Sequence, residues 1–487
     1  MRRARADLRL TFAVLAVGVT SFGLLQSLVL PILPTVQHHF GCTQNTVTWV
    51  LTAYLLSATV ATPIVGRVGD MFGKDRVLFA TLLVLAIGCI AAALSPTIGW
   101  LIAARGVQGV GGGVLPLTFG IIRDEFPPAR VAGAIGAMAG LLAFGGGLGA
   151  VLAGPIVAML DFRWLFWLSL AVLIPAAVAV RSVVSPSPVR WPGHIDRVSA
   201  VLVASGLISV LVAISQGPSW GWASTACLVL DVVAMILLAG WVANELHSRD
   251  PLIDMRMLSL PTVATTNAAA LLFGVGQFAI VGFLPEFVQA PRRAGYGFAS
   301  SLTESCLFLL PQTMGMFAFG LLSGRVTARL GAKATMLIGT ATGIVPYVLF
   351  AEFGHAKWQI YLASGFMGIS FGLAISGMAT IIVAAVPPSQ TGVASGMSAN
   401  VRTLGGCVGS AVLSSMVAGG LRVGEVPTAT AWRAGFWFLA ISAAGAFVAA
   451  AVVPAHRFGA DGGQRNGRSP GLVPTSGADI SAGWSSA

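Results

Sequence analysis

The chain has 487 residues, of which 56% are hydrophobic and only 9% charged, where a soluble domain carries roughly one quarter charged residues. So little polar surface cannot clothe a water-soluble globule, and the formal net charge of +11 is therefore read by position, as membrane topology, before it is read as a nucleic-acid footprint. The 5 cysteines have no paired spacing and the 6 histidines form no His-Glu-x-x-His pattern, which disfavours a disulfide scaffold or an intramembrane metalloenzyme. No phosphate-binding Gly-x-x-x-x-Gly-Lys-Ser/Thr loop occurs, so ATP bound to this chain is not the expected energy source, and no cofactor is expected.

A bilayer-spanning helix needs about 20 apolar residues. Such runs recur fourteen times, predicting an all-α membrane protein with spans at 10–36, 46–69, 76–95, 99–122, 131–159, 162–184, 198–216, 223–244, 261–290, 300–323, 334–353, 358–385, 391–420 and 432–455. The basic start Met1-Arg2-Arg3-Ala4-Arg5 resembles a signal peptide, but the apolar run after it is too long and has no Ala-x-Ala exit, so it is taken as the first span. With the N-terminus inside, the outer loops hold only Arg163, Arg292, Arg293, Lys357, Arg422 and Arg433, two arginines (Arg105 and Arg402) fall inside spans, and all other Lys and Arg lie on the inner side. This bias places both termini in the cytoplasm.

The chain repeats itself. Phe22-Gly23-x-x-Gln26 with Leu33-Pro34 returns as Phe273-Gly274-x-x-Gln277 with Leu284-Pro285. Gly66-Arg67-Val68 with Gly73 returns as Gly324-Arg325-Val326 with Gly331, and Pro127-Pro128, Gly136, Gly145-Gly146 and Gly149 return as Pro387-Pro388, Gly396, Gly405-Gly406 and Gly409. The order is kept, which predicts two six-helix halves, 1–184 and 257–456, around a linker and two inserted helices at 185–256. The Gly- and Ser-rich remainder, 457–487, is expected to be a disordered cytoplasmic tail.

Three motifs carry chemistry. Between spans 2 and 3, Gly66-Arg67-Val68-Gly69-Asp70-Met71-Phe72-Gly73-Lys74-Asp75-Arg76 turns on glycines and offers one acid among bases, either a latch that holds one conformational state or an ordinary solvated turn. The run resembles the Gly-x-x-x-Asp-x-x-Gly-Arg/Lys signature of the major facilitator superfamily, which favours a gating role for Gly66, Asp70, Gly73, Lys74 and Arg76; the second copy has Ala328 in place of the acid. In span 4, Arg105-Gly106-Val107-Gln108-Gly109 is similar to the same superfamily's Arg-x-x-Gln-Gly motif, and a guanidinium inside a span is either functional or snorkels to the surface. In span 5 the glycines include Gly145 and Gly149, a segment whose small residues let helices approach and rock. It resembles the Gly-Pro-x-x-Gly-Gly motif of the antiporter branch, with Ala150 at the proline position.

Trp49-Val50-Leu51-Thr52-Ala53-Tyr54, Asp196, Pro251-Leu252-Ile253 and Gly392-Val393-Ala394-Ser395-Gly396 extend the resemblance to the fourteen-span drug:proton antiporter family. That resemblance implies a non-enzymatic secondary transporter exporting small amphipathic drugs, antibiotics or metabolites, with membrane lipid and protons as its other partners; the Ala-, Gly-, Val- and Arg-rich composition points to a bacterial cell membrane. A monomer is expected, and no nucleic acid. A metabolite facilitator or symporter, or a transporter-like scaffold, is the alternative. The family's span-1 acid is absent, Phe22 standing at its place, so Glu286 and Glu304 are the candidate proton carriers, otherwise explained as solvated partners of Arg292 and Arg293. Candidate substrate residues are Gln26 and Gln277, expected to meet from the two halves or else to hydrogen-bond helix to helix, with Arg105, Arg402 and an aromatic set of Phe22, Trp49, Tyr54 and Phe273 that otherwise serves packing or interface anchoring.

Overall fold

The computed structural model describes residues 8–187, 196–248, 253–354, 356–387, 390–419 and 427–454, all of it helix and connecting turns. The expected 457–487 tail, Pro251, Leu252 and most of the expected 185–197 linker lie outside the described residues.

In the first half, α1 (Leu8–Ser27) stops ahead of Pro31, continues through a 3-10 turn at Leu30–Ile32 and resumes as α2 (Leu33–Phe40). Proline has no N–H to extend the ladder, so the first expected span bends near its outer end. Thr43 caps α3 (Gln44–Phe72), which ends at Gly73. There φ of +104° suits glycine alone, and α4 (Lys74–Ala93) starts at once. Gly331 holds φ of +89° at the corresponding turn of the second half. The fourth expected span is two helices, α5 (Ile98–Gly109) and α6 (Val114–Glu125), joined by a 3-10 turn through Val110–Gly113. The half closes with α7 (Pro128–Met159) and α8 (Arg163–Val183).

Asp196 accepts a hydrogen bond from Val198 N and so caps α9 (Arg197–Trp220), while Ser224 caps α10 (Thr225–His247). These two pair with each other, and α9 also lies against α3. After the short α11 (Met255–Leu258), the second half runs as α12 (Pro261–Gln289), α13 (Leu302–Phe308), α14 (Leu310–Leu330), α15 (Ala332–Thr342), α16 (Ile344–Phe353), α17 (Lys357–Ala385), α18 (Thr391–Gly419) and α19 (Ala429–Val452). Leu309 divides the expected tenth span and Gly343 the eleventh.

Among the described residues twelve helical spans are long and apolar enough to cross a membrane. The other two expected spans coincide with α5–α6, interrupted by its 3-10 turn, and with α18, which is rich in Gly, Ser and Thr.

Glycines at corresponding positions of the sequence repeat make alike close approaches. Gly23, Gly145 and Gly149 bring α1 and α7 so close that a Cβ on any of them would overlap a backbone carbonyl, of Leu142, Thr20 and Leu24 respectively. Gly274, Gly405 and Gly409 do the same between α12 and α18, against the carbonyls of Arg402, Leu271 and Val275. Those acceptors are themselves repeat equivalents. Gly145 and Gly149 therefore lock helices within the first half, whereas a different α7 face, with Gly133, Gly136 and Gly140, meets Gly324, Ser323 and Gly320 of α14 across the halves. Gly405→Ala should lower the melting temperature of the purified protein, because the helices must separate at a cost of about 1–3 kcal/mol. Gly240→Ala, where a Cβ would meet nothing within 4 Å, should leave it unchanged; equal melting temperatures for the two variants would contradict this packing.

Candidate functional site

The end of the bundle where α3 turns into α4 is rich in basic residues and is closed. Lys74 is buried at 1% exposure, with Nζ 2.7 Å from Asp124 Oδ2 and 3.4 Å from Asp70 Oδ1. Asp70 is wholly buried, with Lys74 as its nearest base. Its Oδ2 lies 3.3 Å from where a Gly392 Cβ would stand, in the first turn of α18, where a helix N-terminus favours a negative charge. The expected acid–base turn thus exists, but its base is a neighbour in the first half, and the second half meets the acid through a helix end. Arg76 is exposed and joins no ion pair among the described residues. The turn is further tied to the segment after α8, since Lys74 N donates to Ser187 Oγ at 3.0 Å and Ser187 N to Asp75 Oδ1 at 3.0 Å.

From that end inward, α3 and α18 are zipped together. Gly66 packs against Gly392, Thr62 against Gly396, and Asn400 Nδ2 donates to Thr59 O at 2.6 Å. Arg123, at the end of α6, closes the same end: Nη1 donates to Val383 O and Thr391 Oγ1, both at 2.6 Å, and Nη2 to Val386 O at 2.8 Å. It caps the carbonyl end of α17 and grips the start of α18 with one side chain.

At the opposite end a cavity of about 460 Å³ lies between the halves. Pro31 and Ala150 come from the first half; Glu286, Gln289, Tyr296, Leu309 and Trp432 from the second. Of the sequence candidates only Glu286 lines it. Glu286 has no ion pair among the described residues, whereas Glu304 pairs with Lys357. The expected partners Arg292 and Arg293 stand exposed in a 3-10 turn and form no ion pair with either acid among the described residues, so for Glu304 the expected pairing is corrected to Lys357. Tyr296 and Trp432 belong to an aromatic cluster with Phe287 and Phe436, ring centroids 5.2–6.1 Å apart.

Arg105 does not snorkel. It is 0% exposed, its Nη1 donates to Gln108 Oε1 at 2.6 Å, its Nε lies 3.4 Å from Val50 O, and its Cζ sits 4.3 Å over the Tyr54 ring. Gln108 in turn reaches Cys89 Sγ at 3.7 Å. The guanidinium thus ties α3 and α5 together without a carboxylate.

In the second half Arg402 Nη1 donates to Gln277 Oε1 at 3.3 Å, and both residues are half-buried. Gln26 is half-buried and hydrogen-bonds to neither, so the expected meeting of two amides is replaced by an amide–guanidinium contact within one half. The expected aromatic set does not assemble. Phe22 is buried, Trp49 half-buried, Tyr54 lies under Arg105, and Phe273 packs on Phe371 at 5.5 Å.

Residues 15–410, and in a second match 266–475, fit the family model described as Major Facilitator Superfamily. The chain belongs to that superfamily. Its members are transporters, not enzymes, and this is a multi-pass membrane transporter. It is 28% identical over 387 residues to the "Multidrug resistance protein B homolog" of Mycobacterium tuberculosis, covering 78% of this chain and 70% of that protein. It is 27% identical over 423 residues to the "Tetracenomycin C resistance and export protein" of Streptomyces glaucescens, covering 85% and 77%. The crystal structure of the human organic anion transporter MFSD10 shares the fold with a TM-score of 0.62 at 15% identity, over 92% of this chain and 99% of that one.

Two features of the candidate site escaped the sequence. Arg123 stands next to the acidic pair Asp124 and Glu125, which reads as an ordinary polar loop, and its repeat position is Val383, one of the residues whose carbonyl it holds. Tyr296 and Trp432 lie far apart in the chain, and only the fold brings their rings to 6.1 Å.

Proposed function

We propose that this facilitator exports small amphipathic molecules by alternating access across a bacterial cell membrane, as a fourteen-span protein of 6 + 2 + 6 helices with both termini cytoplasmic. Its first half is 1–184, its insert 185–256 and its second half 257–456, and α5–α6 and α18 are the two spans beyond the twelve. One observation carries the reading: the basic end is zipped by Arg123, Asp70 and the α3–α18 contacts while a drug-sized cavity lies between the halves at the other end. This is the arrangement of an outward-facing state. The named functions of the relatives in mycobacteria and Streptomyces support export over uptake.

The gating residues are Gly66, Asp70, Gly73 and Lys74 with Arg123, and the substrate pathway includes Gln26, Gln277, Arg105 and Arg402. Proton antiport is assigned to Glu286, the candidate acid left unpaired beside the cavity; Glu304 is held by Lys357. The facilitator alternative keeps one specific support, the absence of an acid from mid-span in the first half, where Phe22 stands. Purified protein in liposomes under an imposed pH gradient decides between them. The parent should accumulate substrate against its gradient, and Glu286→Gln should lose that accumulation while keeping downhill exchange. Unchanged ΔpH-driven accumulation by Glu286→Gln would remove Glu286 from coupling, and no response of the parent to ΔpH would favour the facilitator.

A further inference from the structure

We infer that the pathway between the halves recognises amphipathic anions, with the Arg402 guanidinium holding the carboxylate, phenolate or sulfonate head beside Gln277. The inference deepens the export reading and rests on it for its place in the cycle.

The position of Arg402 on α18 comes first. Gly392, Gly396 and Asn400 form the strip that touches α3, and Gly405 and Gly409 the strip that touches α12. Leu404 packs on the insert, Ser415 accepts a hydrogen bond from Trp222 in the loop between α9 and α10, and Val408 is 40% exposed, so these three mark the outer face. At about 100° per residue Arg402 lies roughly 120–160° from all three, between the strips that meet α12 and α3. Its partial exposure therefore opens toward the space between the halves. It also stands two residues beyond Asn400, whose side chain holds α3, on the side away from the basic end.

Charge comes second. The ion pairs among the described residues are Lys74 with Asp70 and Asp124, Arg163 with Asp161, Lys357 with Glu304, and Arg433 with Glu352. None involves Arg402 or Arg105. Arg105 is fully enclosed and spends two of its donor groups on Val50 and Gln108, so it adds positive charge to the interior without being open to a ligand. Glu286 is nine residues beyond Gln277 on the same helix, about 14 Å away, too far to neutralise Arg402. Among the described residues the middle of the transporter thus holds Arg105 and Arg402 with no carboxylate paired to either.

A guanidinium that meets one neutral acceptor among the described residues leaves donors unspent, and a planar oxyanion matches its fork. A cationic head brought to the same place meets a like charge under weak screening. The selectivity is therefore for the charge of the head group, while apolar spans accept varied bodies.

A matched pair of probes tests this on the full-length protein in lipid nanodiscs, without any gradient: pyrenebutyrate and pyrenebutyl-trimethylammonium, which share an aromatic body. The parent should bind the carboxylate at least about tenfold more tightly, the factor of one well-placed charged contact. Arg402→Gln should erase that preference by weakening carboxylate binding alone, and Arg402→Lys should restore part of it, which a purely structural role would not do. Equal or reversed preference in the parent overturns the inference whether or not any variant folds, as does an unchanged preference in a folded Arg402→Gln. Failure of liposomes to export pyrenebutyrate, with charge-selective binding intact, would instead count against the export reading.

Discussion

Arg105→Ala should abolish transport while the protein is still inserted and monodisperse. The guanidinium is fully enclosed, bridges α3 and α5 through Val50 O and Gln108, and rests on Tyr54. Alanine leaves Gln108 Oε1 buried without its donor and a hole where the largest buried polar side chain stood. Losing about 3 kcal/mol of charge-assisted bonding corresponds to roughly 100-fold or more in an equilibrium on which the cycle depends. Arg105→Lys should recover little, because a point charge cannot reach a carbonyl, an amide and a ring face at once. Tyr54→Phe provides the contrast: among the described residues the Tyr54 hydroxyl has no hydrogen-bond partner, so removing it while keeping the ring should leave transport near the parental rate. Transport rates in liposomes, with size-exclusion profiles as the folding control, measure all three, and parental activity in a well-folded Arg105→Ala would mean that the cluster is packing alone.

Helix type and the glycine turns were legible in the sequence because each is set locally. Apolar length makes a span, and Gly73 and Gly331 announce turns at positive φ wherever the chain folds. Arg105 was legible because a guanidinium inside an apolar run always demands an explanation. What could not be read was pairing between distant segments. Gln277 finds Arg402 at a separation of 125 residues, and Glu304 finds Lys357 instead of the nearer arginines, because helix packing decides which ends share a side. The breaks at Val110–Gly113 and Gly343 were hidden inside runs apolar enough to read as continuous helix.

The missing span-1 acid and the unpaired Arg402 become related once charge is followed through a cycle. An anion leaving a cell with a negative interior moves down the membrane potential, by about 2.3 kcal/mol per 100 mV. Exchange for an entering proton moves charge in the same sense. A carrier of anions can therefore forgo a mid-membrane carboxylate that a carrier of cations would need, both to bind its cargo and to couple it.

Arg123→Ala should shift this transporter out of the state described here. Its three hydrogen bonds, to Val383 O, Val386 O and Thr391 Oγ1, all cross from the first half to the second at the basic end, and two of them satisfy carbonyls that the end of α17 leaves without helical partners. Such bonds can exist only while that end is closed, so their energy counts entirely toward one side of the conformational equilibrium. Discounted for partial exposure, a net loss of about 3 kcal/mol moves the closed-to-open ratio by a factor on the order of 100. Spin labels at the exposed positions Arg76 and Arg329, one in each half near the basic end, should report a longer distance in the variant. Turnover should fall with it, since a carrier that rests open at one end returns slowly to the other. Asp70→Asn should move the same distance less, because Lys74 is held more closely by Asp124, at 2.7 Å against 3.4 Å, and the amide loses only the charge toward Lys74 and the start of α18. Arg123→Lys should fall between the two, since one ammonium cannot hold three acceptors spread over two helices. An unchanged distance distribution and parental turnover in Arg123→Ala would place the latch elsewhere, with the glycine-lined α3–α18 contact as the remaining seat of closure at that end.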